Sequence, residues 1–143
     1  MKNNELYNHF KQVLSKQGLK LTPQRINILN EVIENHDHRE CEEIYLDLKS
    51  KQKKVSRATV YRTMEILVQN GFARKLELGD GRARYENKVD IPHHDHLICT
   101  SCGKIIEFMD EQIEQLQDKI AEQNKFTLSR HIHQLFGICN QCQ

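Results

Sequence analysis

The run His93-His94-Asp95-His96-Leu97-Ile98-Cys99-Thr100-Ser101-Cys102 sets three histidines and a carboxylate directly before a Cys-x-x-Cys pair, and Cys139 and Cys142 form a second such pair. Imidazole nitrogen, carboxylate oxygen and thiolate sulfur are the side-chain donors that hold borderline divalent metals. Two thiolates two residues apart reach one ion from a single turn, so Cys99, Cys102, Cys139 and Cys142 together form a closed tetrahedral set suited to structural zinc. In an extended strand neighbouring side chains point to opposite faces, which puts His93 with Asp95 on one side and His94 with His96 on the other. One short strand can therefore supply two different metal sites. Neither pair completes a coordination sphere, and further donors are available at His38, Glu86, Glu107, Glu114 and His131.

The elements that must position these donors fall in two groups. Apolar residues at Leu6, Phe10, Val13 and Leu14 carry the period of an amphipathic helix over about 5–17, closed by Gly18. Thr22 followed by Pro23 opens a second helix, with Ile26, Ile28, Leu29, Val32 and Ile33 on its inner side. A third runs over about 42–51. Ser56 caps a fourth over 57–70, which Gly71 stops. Residues 72–78 and 83–86 alternate as short strands joined by Gly79-Asp80-Gly81, so a hairpin follows the fourth helix as the wing follows the recognition helix of a winged helix-turn-helix. The polar stretch 87–92 reads as a hinge. Beyond it the pattern gives strands at 94–99 and 104–108, a helix over 110–124 and a last strand at 130–138. This is an α+β chain with an N-terminal winged-helix domain at 1–86 and a small α/β domain at 93–143.

The formal charge of +1 conceals an asymmetry. Residues 1–86 hold 16 Lys and Arg against 12 Asp and Glu, a net of +4, while residues 87–143 hold 5 against 8, a net of −3. Lys49, Lys51, Lys53, Lys54, Arg57 and Arg62 fall between Leu48 and Met64, where there is no acidic residue. A basic face beside the start of a helix bearing Ser56, Arg57, Thr59, Tyr61 and Arg62 suits a polyanion, with first-turn side chains reaching base edges and hydroxyl and cationic groups fixing the phosphates. No apolar run approaches a membrane span, and paired cysteines without an apolar leader favour metal over disulfide, so the cytoplasm is the expected compartment.

Four motifs in order carry a resemblance that covers nearly the whole chain: Gly18-Leu19-Lys20-Leu21-Thr22-Pro23-Gln24-Arg25, Ala58-Thr59-Val60-Tyr61-Arg62-Thr63, His93 to Cys99, and Cys102-Gly103-Lys104-Ile105-Ile106-Glu107-Phe108. With these the sequence resembles the ferric uptake regulator (Fur) family of metal-dependent transcription factors. The resemblance implies a homodimer, with a tetramer as the larger alternative, that binds double-stranded operator DNA through its N-terminal domain and dimerises through its C-terminal one. It implies a regulatory site of His38, Glu86, His94, His96 and Glu107, an additional site of His93, Asp95, Glu114 and His131, and DNA contacts from Lys20, Tyr61 and Arg62. Cys41 matches no ligand of the family and is expected to pack as a small apolar residue.

The implied mechanism is a crosslink. His38 and Glu86 come from the DNA-binding half and the other three regulatory ligands from the dimerisation half, so one ion favours a closed, operator-binding repressor. A thiolate-free nitrogen and oxygen site accepts Fe(II), Mn(II), Co(II) or Zn(II). Zinc-sensing relatives often add a thiolate, and peroxide-sensing relatives tend to carry Asp where Glu86 and Glu107 stand, which leaves Fe(II) as the expected signal and zinc, manganese or peroxide response as alternatives. A metallohydrolase would need an open metal position beside a cleft, and a metal store would not explain Arg57, Tyr61, Arg62 and the wing. No enzymatic activity is expected.

Overall fold

A computed structural model describes residues 3–89 and 91–143; Met1, Lys2 and Asp90, the last within the expected hinge, lie outside the described residues. The chain divides into two units, Met1–Ile91 and Pro92–Gln143.

The first unit is built on four helices, α1 (Asn3–Lys16), α2 (Pro23–Glu34), α3 (Cys41–Ser50) and α4 (Arg57–Gln69), followed by an antiparallel hairpin of β1 (Ala73–Glu77) and β2 (Ala83–Asn87). Local chemistry sets the helix starts. Thr22 accepts the Arg25 N–H and precedes Pro23, Ser56 accepts the Thr59 N–H at 3.2 Å, and the Glu43 carboxylate reaches back to the Glu40 N–H at 2.8 Å ahead of α3. The helical period then turns Phe10 and Leu14, Ile28 and Leu29, Ile44 and Leu48, and Val60, Met64 and Leu67 into one fully buried core. Each such side chain contributes about 1.5–3 kcal/mol by leaving water. Phe72 meets Phe10 edge-on, at 5.5 Å between centroids, and seats the hairpin on that core. The hairpin loop spans Leu78 to Arg82, longer than the Asp-Gly step alone suggests. Inside it Asp80 accepts from the Arg84 guanidinium and the Arg82 N–H, which hold its carboxyl down at about 2.

One polar network is buried in this unit. Glu31 of α2 is 4% exposed and receives Arg39 Nη1 at 2.8 Å and Lys51 Nζ at 2.6 Å, while Arg39 also reaches Asp47 Oδ2 at 2.6 Å and the Glu31 carbonyl at 3.1 Å. Burial by itself would push the Glu31 carboxyl up; the hydrogen bonds from Lys51 and Arg39 outweigh it and hold the group below the ordinary carboxylate range. The network fixes the connection between α2 and α3. Its backbone in turn pairs with the hairpin: the Arg39 N–H donates to the Tyr85 carbonyl at 3.1 Å and the Tyr85 N–H to the Arg39 carbonyl at 2.7 Å. The start of the expected hinge is anchored here as well, since the Asn87 amide donates to the Ile33 carbonyl at 3.0 Å and Val89 packs against the core.

The second unit contains β3 (Asp95–Cys99), β4 (Ile105–Phe108), α5 (Glu111–Gln123) and β5 (Gln134–Gly137). The strand order is β4-β3-β5, with β4 antiparallel and β5 parallel to β3. Asp110 caps α5 by accepting the Gln112 and Ile113 N–H groups. The last strand is shorter than the sequence pattern suggests, so His131 and His133 lie in the irregular segment that leads into it. Almost nothing apolar is buried. Ile98, Cys99 and Ala121 are the apolar residues of this unit that are buried among the described residues, whereas Leu116, Ile120, Phe126, Ile132, Leu135 and Phe136 stand exposed.

Removing the Arg39 guanidinium leaves Glu31 buried with Lys51 alone. Arg39→Leu is expected to cost about 3 kcal/mol in urea unfolding at pH 7. Because the folded Glu31 carboxyl is depressed, its contribution is present above the unfolded value of about 4.3 and fades as pH falls through the folded one. The difference between variant and wild type should therefore shrink below about pH 4.

Candidate metal centres

The parallel pairing of β5 with β3 aligns Cys99 with Gly137, and this register brings the two cysteine pairs together. Thr100 secures it by donating its N–H to the Gly137 carbonyl at 2.8 Å. After Cys99 the chain turns back through Gly103, at φ +78°, a left-handed conformation that glycine adopts without strain, and the Gly103 N–H closes the turn on the Cys99 carbonyl at 2.9 Å. Cys139 and Cys142 form a similar turn, closed at 3.0 Å from the Cys142 N–H to the Cys139 carbonyl. All four sulfurs lie within 4.8 Å of one another, and Cys102 Sγ stands 3.8 Å from Cys139 Sγ. A tetrahedron with Zn–S bonds of about 2.3 Å has edges of about 3.8 Å, so the spacing fits zinc. The Cys99 sulfur accepts the Cys102 N–H at 3.5 Å and the Cys139 N–H at 3.3 Å, and these bonds lower its pKa to about 6. A thiolate, the form that ligates metal, is thus favoured at this buried position.

A second cluster joins β3 to α5 and the segment before β5. Asp95 Oδ1 lies 3.2 Å from His93 Nε2 and 3.5 Å from His131 Nε2, and Glu114 Oε1 lies 3.6 and 3.3 Å from the same two nitrogens. Nitrogen and oxygen ligands at about 2.0–2.1 Å from a tetrahedral ion stand about 3.3–3.4 Å apart. Both Asp95 oxygens, Glu114 Oε1 and His131 Nε2 are buried and make no hydrogen bond, although Asp95 is only 1% exposed. Polar atoms aimed at a common point without bonding one another are an arrangement that a cation satisfies. His93 precedes β3, so its position beside Asp95 comes from the approach to the strand as much as from strand alternation.

The remaining donors are two in the first unit and three in the second. In the first unit the Arg39–Tyr85 backbone bridge sets His38 beside β2, where His38 Nε2 meets Glu86 Oε2 at 2.7 Å; Arg74 holds the other Glu86 oxygen at 3.2 Å. In the second unit His94 Nε2 lies 3.4 Å from Glu107 Oε1, the His94 and His96 rings are 4.8 Å apart, and His96 faces Glu107 in the β3–β4 register. His94 Nδ1 is 3.2 Å from the Pro92 carbonyl, which can only accept. That contact has Nδ1 as the donor and leaves Nε2 as the nitrogen that faces Glu107. His96 is buried, its backbone N–H donated to the His133 carbonyl at 3.2 Å.

On the helical unit, Lys20, Arg57, Tyr61 and Arg62 are exposed and Thr59 is half-buried, its hydroxyl accepting from Ser56 at 2.8 Å. Two cations of the basic stretch are engaged within the protein. Lys51 serves Glu31, and Arg57 makes a two-pronged bond to Glu42 while lying 4.5 Å from the centre of the Tyr45 ring. Cys41 is buried and burial pushes its thiol up, in keeping with a packing role.

His133 is the neighbour that sequence reasoning missed. Its Nδ1 lies 3.8 Å from Asp95 Oδ2, and the signal for it was its position two residues beyond His131, on the same side of an extended segment.

The ferric uptake regulator family model matches residues 16–136. A ferric uptake regulation protein of Campylobacter jejuni is 39% identical over 139 residues, spanning 96% of this chain and 88% of the relative. Among solved structures, the Helicobacter pylori ferric uptake regulator, described as revealing three functional metal-binding sites, superimposes with a TM-score of 0.87 at 32% identity over 97% of this chain and 92% of that one. The Pseudomonas aeruginosa regulator, solved with manganese, does so with a TM-score of 0.79 at 31% identity over 98% and 99%.

Cys99→Ser removes the sulfur that accepts two N–H bonds. Folding of a unit with so little apolar interior is expected to depend on the bound ion. The variant should lose one equivalent of zinc in a chromophoric chelator assay, together with strand signal in the far ultraviolet, while helical signal from the first unit persists.

Proposed function

The chain belongs to the ferric uptake regulator family and is a metal-responsive, DNA-binding transcription regulator, not an enzyme, and on that premise we propose that it is an Fe(II)-responsive repressor. In this reading His38 and Glu86 of the first unit and His94, His96 and Glu107 of the second share one regulatory ion, Cys99, Cys102, Cys139 and Cys142 hold structural zinc, and His93, Asp95, Glu114 and His131 hold an additional ion. The observation that carries it is that the thiolate-free donors come in two incomplete sets, a His–carboxylate pair at 2.7 Å in one unit and two histidines with a glutamate 3.4 Å from His94 in the other. Neither set alone fills a coordination sphere. Joint use of both favours whichever arrangement of the units lets all five side chains converge, and the equilibrium moves only by that difference in affinity.

The choice of iron rests on the donor set and on the relatives. Imidazole and glutamate without thiolate accept Fe(II), and both Glu86 and Glu107 are glutamates. Several relatives that match along most of this chain are named ferric uptake regulation proteins. Dimerisation through the second unit is supported by its exposed apolar residues, Leu116, Ile120, Leu135 and Phe136 among them, which a second copy would cover. DNA binding through α4 is supported by the exposed Tyr61 and Arg62 at the start of the helix, by Lys20, Lys49, Lys53 and Lys54, and by the hairpin that follows. Arg57 and Thr59 join the contact surface in this reading, Arg57 by exchanging Glu42 for phosphate. A regulator of transcription works beside the chromosome, which places it in the cytoplasm. Among the described residues no helix is long and apolar enough to cross a membrane.

Operator binding followed by fluorescence anisotropy under anaerobic Fe(II), with Mn(II) as a redox-stable substitute, tests the switch. His96→Ala should lose the metal-dependent gain in affinity and keep the zinc of its four-cysteine site; unchanged affinity would sink the shared-ion reading. Arg62→Ala should weaken binding to all sequences alike and reduce the slope of log K against log salt by about 1, the signature of one lost phosphate contact.

A further inference from the structure

Asp95 cannot be left as it stands in an uncompensated interior. The carboxylate is 1% exposed, both oxygens are without hydrogen bonds, and the two oxygens face different partners. Oδ1 looks toward His93 and His131, at 3.2 and 3.5 Å, the spacing of co-ligands; Oδ2 looks toward His133 Nδ1, which is also buried and makes no hydrogen bond. The His133 ring is steadied by an edge-on contact with Phe108, 5.7 Å between centroids, and Phe108 is the register partner of Asp95 on the adjacent strand. His133 thus meets the Asp95 oxygen other than the one that the His93 and His131 nitrogens face.

We propose that His133 is a positioning residue of the additional metal site: its Nδ1–H donates to Asp95 Oδ2 and leaves Oδ1 alone to face the ion. The inference rests on the reading that His93, Asp95, Glu114 and His131 bind metal. The separation of 3.8 Å is about 1 Å longer than a charge-assisted hydrogen bond, a distance that a rotation of the Asp95 carboxylate covers when Oδ1 turns toward a cation. Two consequences follow from the chemistry. With Oδ2 turned to His133, Asp95 would present a single oxygen to an ion, which disfavours chelation and favours four ligands, the number zinc prefers. Hydrogen bonding to a ligand from outside the coordination sphere also raises affinity, by about 10–100-fold in metalloproteins generally. Substitution of the side chain leaves the backbone anchor untouched, because the His133 carbonyl, not its ring, accepts the His96 N–H.

The test uses the full chain with zinc loaded in its four-cysteine site, in a background of His38→Ala and His94→Ala that disables the other His–carboxylate donors. Zn(II) affinity is measured by competition with a chromophoric chelator and geometry by the d–d absorption of Co(II). His133→Leu should weaken Zn(II) binding about 10–100-fold and lower the intensity of the Co(II) bands, as Asp95 becomes bidentate and the ion five-coordinate. His133→Asn, which keeps an N–H near the Nδ1 position, should stay close to the parent in both. Equal behaviour of the Leu variant and the parent would overturn the proposal. So would an Asn variant as impaired as Leu, since that marks His133 as a ligand. If the Leu variant fails to retain the four-cysteine zinc, His133→Gln replaces it, because its longer amide does not reproduce the Nδ1 position. A background protein that binds no ion besides the four-cysteine zinc would overturn the metal reading itself, a result distinct from a bound ion indifferent to His133.

Discussion

A sheet of three short strands and one helix, with almost no apolar side chain withdrawn from water, cannot be held together by burial alone. That constraint governs the second unit. What the unit withdraws from water is chemistry of another kind: Cys99, Asp95 and His96 are all under 6% exposed, and all have side chains of the types that ligate metals. Four sulfurs at tetrahedral spacing and a buried carboxylate between imidazoles replace the interior that leucines supply elsewhere. Coordination bonds to an ion held there would be few and strong, enough to keep β5 parallel to β3 without a thick core. The same arrangement leaves apolar residues of α5 and β5 on the outside.

The first unit solves its packing in the ordinary way, with interlocked Phe, Leu, Ile and Val side chains, and uses charge for a different end. The buried Glu31, bracketed by Arg39 and Lys51, adds rigidity to a connection that would otherwise be a loop. Arg39 is the pivot of the arrangement. Its guanidinium ties α2 to α3, and its backbone pairs with Tyr85, which is what sets the neighbouring His38 against Glu86. A structural ion network and a candidate metal ligand are therefore adjacent residues with one positioning device. Strain in one is felt by the other.

The surface around the start of α4 shows a related trade. A basic stretch without acids in sequence still finds acids in space, and Glu42 occupies Arg57 while Glu31 occupies Lys51. Exposed pairs such as Arg57–Glu42 contribute little to stability. The Arg57–Glu42 pair is thus weak enough for a phosphate to displace, whereas Lys51, locked onto a buried carboxylate, is committed to the fold. Charge counting along the chain overstates the cations available to a polyanion.

Periodicity, caps and spacing by themselves determined the helices, the hairpin, the break between a helical and a strand-rich part, and the cysteine set, because these depend on residues within a few positions of one another. The alternation of His93, His94, Asp95 and His96 likewise separated two groups of donors before any fold was known, although His93 and His94 turned out to lie ahead of the strand. Packing contributed what local pattern cannot carry. The parallel register of β5 on β3 joined the cysteine pairs, Arg39 set His38 beside Glu86, and the irregular approach to β5 aimed His131 and His133 at Asp95. The reason is physical: side-chain types and their local spacing limit which ions and partners are possible, but distances of about 3 to 4 Å between groups far apart in the chain are set by strand register and by the few buried polar contacts that hold it.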